Sequence, residues 1–305
     1  MTASVEVGRG AVYDRGYRPY EGKRGRRGAA TLALYKASVR RALGLRRSWR
    51  QKVAPFVLLG VVTIPAIVNV GIAYVTRNDV FTNGRVRVEI ITYREYVGVS
   101  SALLLFVALV APDVICPDRR QHVLPLLFAR PMNGVDYVAA KLAAIASILF
   151  AFSLLPQIVL FVGNMFVSNS ALDYLTGHVA VLWKVPIAVF LLAIFYAMVG
   201  VAISSLSDRR IVAGASIIGL LLVTSITAAA IVGEEPRFNG GSAGALINVL
   251  ALPIYLRDLV FLGHVDPEGP LNGVANGGLL AVVAYVAVLL VGVGILLRRY
   301  RWVER

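Results

Sequence analysis

Six stretches of this chain are each roughly twenty residues long and almost free of charge, the length that crosses a bilayer's hydrocarbon core as one helix at about 1.5 Å per residue. They run over residues 53–75, 97–116, 142–166, 185–207, 211–233 and 278–297. The first carries no charge, the second only Asp113 near its end, and the fourth and fifth form a hairpin around Ser207-Asp208-Arg209-Arg210. One soluble core in a chain of 305 residues cannot hide that many apolar runs. The spacing therefore predicts an all-α, polytopic membrane helix bundle with six transmembrane helices over residues 53–297. Composition agrees, with 16% charged residues against about 25% in soluble domains.

The chain has a formal net charge of +14, which read alone would point to nucleic acid. Its placement points elsewhere, and no nucleic-acid partner is expected. Of 31 Lys and Arg, 14 precede the first span, in residues 1–52. Counted by side, 24 fall in residues 1–52, 118–141, 209–210 and 298–305, and 7 in the alternate segments. The excess of Lys and Arg on cytoplasmic loops then sets both ends of the chain in the cytoplasm. No apolar stretch like the core of a signal peptide occurs in residues 1–52, so the first span is expected to act as its own insertion signal.

Catalytic and cofactor signatures are sparse. Cys116 is the single cysteine, so neither an intramolecular disulfide nor a multi-cysteine metal site is expected, and His122, His178 and His264 stand in no ligand spacing. Gly22-Lys23 invites a P-loop reading that fails, because Arg24 stands where Ser or Thr is needed and Tyr17 where the leading Gly belongs. The chain is expected to bind no nucleotide or other cofactor of its own.

The segments outside the spans carry more information. Residues 1–30 read as a cytoplasmic tail and 31–52 as an amphipathic interfacial helix, with Leu32, Tyr35, Val39, Ala42 and Leu43 at helical spacing among Lys36, Arg40, Arg41, Arg47 and Arg50. Such a helix is attracted to anionic lipid, although the same charge also serves simply to hold the N-terminal side in place. Arg46 falls on its apolar stripe, so it must snorkel or the helix must bend near Gly44. Pro55, Pro65, Pro156 and Pro186 read as kinks or hinges, and Gly200, Ala202, Gly214 and Gly219 as places of close helix approach. Residues 245–261 are apolar but broken by Pro253 and charged at Arg257-Asp258, which suits a re-entrant or interfacial helix pair on the outer face. Residues 298–305 form a short cytoplasmic tail.

The loop after the second span stands out. Val123, Leu124, Leu126, Leu127 and Phe128 crowd a segment that should face water. A short apolar helix there should bury itself against a partner or the membrane surface. Around it stand Asp118, Leu126-Leu127, Arg130-Pro131, Asp136-Tyr137 and Lys141. In this series, and in the order of interfacial helix, six spans and outer element, the chain resembles the membrane subunits of ABC exporters of the type-2 permease class. Those permeases commonly have Glu followed by Gly-Thr, where this chain has Asp118 and His122-Val123. The tract from Tyr13 to Gly22 also resembles the N-terminal signature of one bacterial permease subgroup.

The resemblance implies a bacterial cell-membrane subunit that forms a substrate pathway and works with a separate P-loop ATPase in two copies, which binds ATP and magnesium. It implies a second permease subunit, identical or different. Asp118, Arg119, His122, Leu124, Leu126, Leu127, Phe128 and Arg130 would couple the ATPase to the spans. Ser100, Ser101, Thr224, Ser225 and Thr227 would be pathway candidates, or helix-packing hydrogen bonds. Two other classes stay open from the residues alone. A secondary transporter or channel would use Asp113, and a membrane-embedded enzyme would draw on Glu234, Glu235, Asp258 and His264.

Overall fold

The computed structural model describes residues 27–45, 49–78, 92–97, 100–128, 132–168, 170–233 and 241–301. Within them the chain is helical: α1 (Arg27–Ala42), α2 (Trp49–Asn78), α3 (Tyr93–Tyr96), α4 (Ser100–Arg120), α5 (Leu124–Phe128), α6 (Gly134–Val167), α7 (Ala171–Gly177), α8 (Val179–Ser204), α9 (Arg210–Gly233), a 3-10 turn over Ala243–Ile247, α10 (Leu252–Leu262) and α11 (Gly277–Arg301). Five helices, α2, α6, α8, α9 and α11, are long and apolar enough to cross a membrane. The 21-residue α4 falls outside that set. It carries Asp113, Asp118, Arg119 and Arg120 at its C-terminal end.

The long helices alternate in direction. Gly163 on α6 lies against Val70 on α2, so the C-terminal halves of these two run together. Asp113 near the end of α4 meets Arg210 at the start of α9, and the ring of Tyr300 at the end of α11 lies tilted against that of Tyr137 at the start of α6, 5.1 Å away. Thus α2, α6 and α9 run one way and α4, α8 and α11 return. The centre is α8, buried from Val185 to Ser204 on most sides and packed by α4, α6, α10 and α11. Close approach is bought with missing side chains. A Cβ on Gly214 would sit 2.7 Å from the Ala108 carbonyl oxygen, and one on Gly200 would sit 2.5 Å from Val107 Cγ1.

The outward surface is as apolar as the interior. Val57, Val61 and Ile64 on α2, Leu222, Val223 and Ile226 on α9, and Leu290 and Val291 on α11 are all exposed. Continuous apolar cover over several helices is unsuited to water and suited to hydrocarbon. The chain has the build of a multi-pass membrane protein.

Several boundaries differ from the sequence reading. The helix expected over 31–52 is interrupted. α1 ends at Ala42, where Leu45 N–H bonds the Arg40 carbonyl at 2.9 Å and Gly44 N–H the Arg41 carbonyl at 3.0 Å. That pattern is a Schellman cap, which puts Gly44 in the left-handed region at φ 66°. Leu32, assigned to the apolar face, is exposed, and Ser38 is buried in its place. α6 starts at Gly134, well before residue 142, and α11 runs on to Arg301. Helix hydrogen bonding continues through polar turns that hydropathy does not register. α10 has 11 residues, a length of about 16 Å, half of what a bilayer core needs.

Candidate functional site

The loop that the sequence singles out sits at the end of the bundle where α4, α8 and α11 finish and α6 and α9 begin. Its geometry starts with how α4 stops. Val123 N–H bonds the Asp118 carbonyl at 3.2 Å and His122 N–H the Arg119 carbonyl at 3.1 Å, a second Schellman cap with His122 as its left-handed residue at φ 50°. His122 thus serves the turn with its backbone while its ring is exposed. The chain reverses there and enters α5 directly.

Within α5 the apolar residues divide. Leu124 is buried in the bundle core, and Leu127 and Phe128 are half-buried against it. Phe128 meets Tyr137 edge-on at 6.2 Å. Leu126 stays outward, 73% exposed, beside the exposed Pro125. The segment was expected to bury itself against a partner or the membrane surface; Leu124, Leu127 and Phe128 find cover on the chain's own bundle. Arg130 lies outside the described residues.

Asp118 is the anchor beneath the loop. It is 5% exposed and accepts from three donors: Arg41 Nη1 at 2.5 Å, Lys141 Nζ at 2.6 Å and Tyr137 Oη at 3.1 Å. Lys141, equally buried, also donates to the Val114 carbonyl at 3.0 Å. A buried carboxylate holding cations from two other helices ties the end of α4 to α1 and α6, because separating them would strand charge in a poor solvent. Arg119 donates to the Ser205 carbonyl and pairs with Asp208 at 2.9 Å, which ties α4 to the α8–α9 turn. Arg210 pairs with Asp113 at 2.9 Å in the same turn. Finally, Arg27 forks onto Asp136 at 2.6 and 3.0 Å, where Asp136 also accepts from the Asn133 N–H at the start of α6. The α4–α5 corner is therefore fixed to α1, α6, α8 and α9 at once.

The other candidates are scattered. On α9, Thr224 and Thr227 donate to carbonyls of their own helix, and Ser225 donates to Asn248 Oδ1 at 2.8 Å, joining α9 to the segment before α10. The side chains of Ser100 and Ser101 lie outside the described residues, as do Glu234, Glu235 and the Tyr13–Gly22 tract. Cys116 is buried.

A second ionic cluster closes the opposite end. Arg94 on α3 contacts Asp258 at 3.3 Å and also pairs with Asp266, while Arg257 forks onto Asp258 at 2.9 and 2.7 Å. Burial pushes the Asp258 carboxyl up, against the pull of Arg257 and Arg94. His264 is exposed, its Nδ1 at 2.7 Å from the Val265 carbonyl. The Arg94 bridge was not read from the sequence. The only available signal was an isolated cation in a loop and an Arg-Asp pair in an otherwise apolar run.

No family model matches the chain, and no curated protein matches it.

Proposed function

We propose that this chain is the membrane subunit of an ABC exporter of the type-2 permease class. On this reading α4 is the sixth span, α1 is an interfacial elbow helix, and the 3-10 turn with α10 forms a re-entrant element on the outer face. Both termini lie in the cytoplasm of a bacterial cell, and two such subunits, alike or different, enclose the pathway. A separate P-loop ATPase binds and hydrolyses ATP with magnesium and docks on α5.

The observation that carries the reading is the α4–α5 corner. Leu126 projects from a short helix whose Leu124, Leu127 and Phe128 pack on the bundle and whose root at Asp118 and Arg119 is tied to α1, α6 and the α8–α9 turn. A push on Leu126 would be passed to α1, α6, α8 and α9 together instead of bending a loose loop. The sequence, meanwhile, has no phosphate-cradling loop of its own.

The test is co-purification from cells that express the tagged chain together with its neighbouring genes. The tagged chain should retain a P-loop ATPase and stimulate its turnover. Leu126→Asp should abolish both while the chain stays folded, since that side chain is exposed. Leu124→Asp should instead prevent folding, because Leu124 is buried. Retention of a coupled ATPase by Leu126→Asp, or failure to recover any ATPase with the unaltered chain, overturns the proposal.

A further inference from the structure

At the Asp118 end of the bundle the acids are already matched. Among the described residues, Asp113 pairs with Arg210, Asp118 with Arg41 and Lys141, Asp136 with Arg27, and Asp208 with Arg119. Arg298 and Arg299, in the last turn of α11, are exposed and pair with none of these acids. A helix end offers nearby cations only about half a negative charge. Most of two adjacent positive charges is left without an answer.

These two arginines face a cleft. α8 and α11 run parallel and touch at Gly292, where a Cβ would lie 2.7 Å from Met198 Cγ. Just past that contact, Leu206, Ile295, Arg298 and Arg299 line a cleft of about 480 Å³, and no acid is among these residues. On α11, Ala284, Val288, Val291 and Ile295 share the face of Arg298, so a half-buried to exposed apolar stripe runs down to the cleft. The apolar run from Gly277 to Leu297 is about 31 Å long, which sets Arg298 where the hydrocarbon ends and the phosphates of a leaflet begin. A soluble anion would match the charge and leave the stripe uncovered. A zwitterionic head would bring its own ammonium to two unmatched cations.

We infer that the cleft binds an anionic phospholipid, its phosphodiester held by Arg298 and Arg299 and one acyl chain lying along Val291 and Val288. Guanidinium groups match phosphate oxygens two at a time, and basic recesses between membrane helices at this level suit anionic heads. The inference rests on the chain spanning a membrane and needs no ATPase, so its failure would leave docking at Leu126 untouched.

The full chain in phosphatidylcholine nanodiscs is irradiated with a trace of phosphatidylglycerol carrying a diazirine on one acyl chain. A parallel sample receives phosphatidylcholine with the same chain. Phosphatidylglycerol should label residues 284–295 about tenfold more, the worth of one charge-assisted hydrogen bond. The Arg298→Gln/Arg299→Gln variant should bring that labelling down to the phosphatidylcholine level, and Lys36→Gln/Arg40→Gln, removing two exposed cations of α1, should leave it unchanged. Leu206→Glu, which sets a carboxylate at an exposed edge of the cleft, should also remove the preference and keeps the test valid if the arginine variant does not insert. Inorganic phosphate should displace the label no more than potassium chloride of equal ionic strength. Equal labelling by the two lipids, a preference that survives the arginine or Leu206 variant, or one lost equally in the α1 variant overturns the proposal. Displacement by phosphate alone would assign the cleft to a soluble anion and overturn it as well.

Discussion

At Asp118 one carboxylate faces two cations, and the three do not contribute alike. Lys141 is 2% exposed, whereas the Arg41 side chain is 27% exposed and reaches solvent. Asp118→Asn therefore strands the Lys141 ammonium and should cost about 3–5 kcal/mol. Lys141→Met leaves Asp118 with Arg41 and Tyr137 and should cost about 1–3 kcal/mol. The Asp118→Asn/Lys141→Met double variant should regain part of the first loss, and additive losses in thermal unfolding of the detergent-solubilised chain would show that the pair is not coupled. His122 gives a different kind of prediction. Since its backbone is left-handed, His122→Gly should hold or raise stability while His122→Val lowers it by about 1–2 kcal/mol. The reverse order would mean that the ring itself is needed. The sequence marked Asp118, Tyr137 and Lys141 as one series but not as one cluster. Arg41 comes from 77 residues upstream, and nothing in the spacing of α1 distinguishes it from Lys36 or Arg40.

Elements were legible where hydrophobicity alone decides, and their ends were not. The apolar runs became α2, α4, α6, α8, α9 and α11, because a chain without water must satisfy its backbone internally over the whole run. The break between α1 and α2 depends instead on one turn. Gly44 in the left-handed region closes α1, and no period in the charges announces it. Helix pairing was only hinted at by small residues, which behave differently once packed. Gly214 lies against the Ala108 backbone, which cannot yield as a side-chain tip can, whereas Gly219 has nothing within 4 Å of where a Cβ would stand. Gly214→Ala should cost about 1–3 kcal/mol through forced separation of α4 and α9, and Gly219→Ala should be neutral or mildly stabilising. Thermal unfolding of the two variants side by side separates a packing glycine from an idle one, and equal behaviour would remove the close approach from the account.

For the molecule as a whole the decisive quantity is parity. Five crossings put the two ends of a chain on opposite sides of a membrane, and six put them on the same side. The proposed arrangement, with both ends on one side, requires α4 to cross although its C-terminal end carries four charges. Those charges need not argue against crossing. They sit at one end only, three of the four are held in ion pairs by α1, α6 and the α8–α9 turn, and the rest of the helix is apolar. On that arrangement the charge-free part of the helix, Ser100–Pro112, covers about 20 Å, so its ion-paired end reaches into the edge of the core. The same length argument makes α10 too short to cross, and the proposed arrangement keeps the segments on either side of it together. Single cysteines at Thr92, Gln121, Arg209 and Glu268, all exposed, read this out in a Cys116→Ala background. A membrane-impermeant maleimide applied to intact cells should label Thr92→Cys and Glu268→Cys, and should reach Gln121→Cys and Arg209→Cys only after permeabilisation. Labelling of positions 92 and 121 from one side would mean that α4 does not cross. Labelling of 209 and 268 from one side would make the segment around α10 a span and move the C-terminal end, whereas only the first result would break the arrangement on which docking at Leu126 depends.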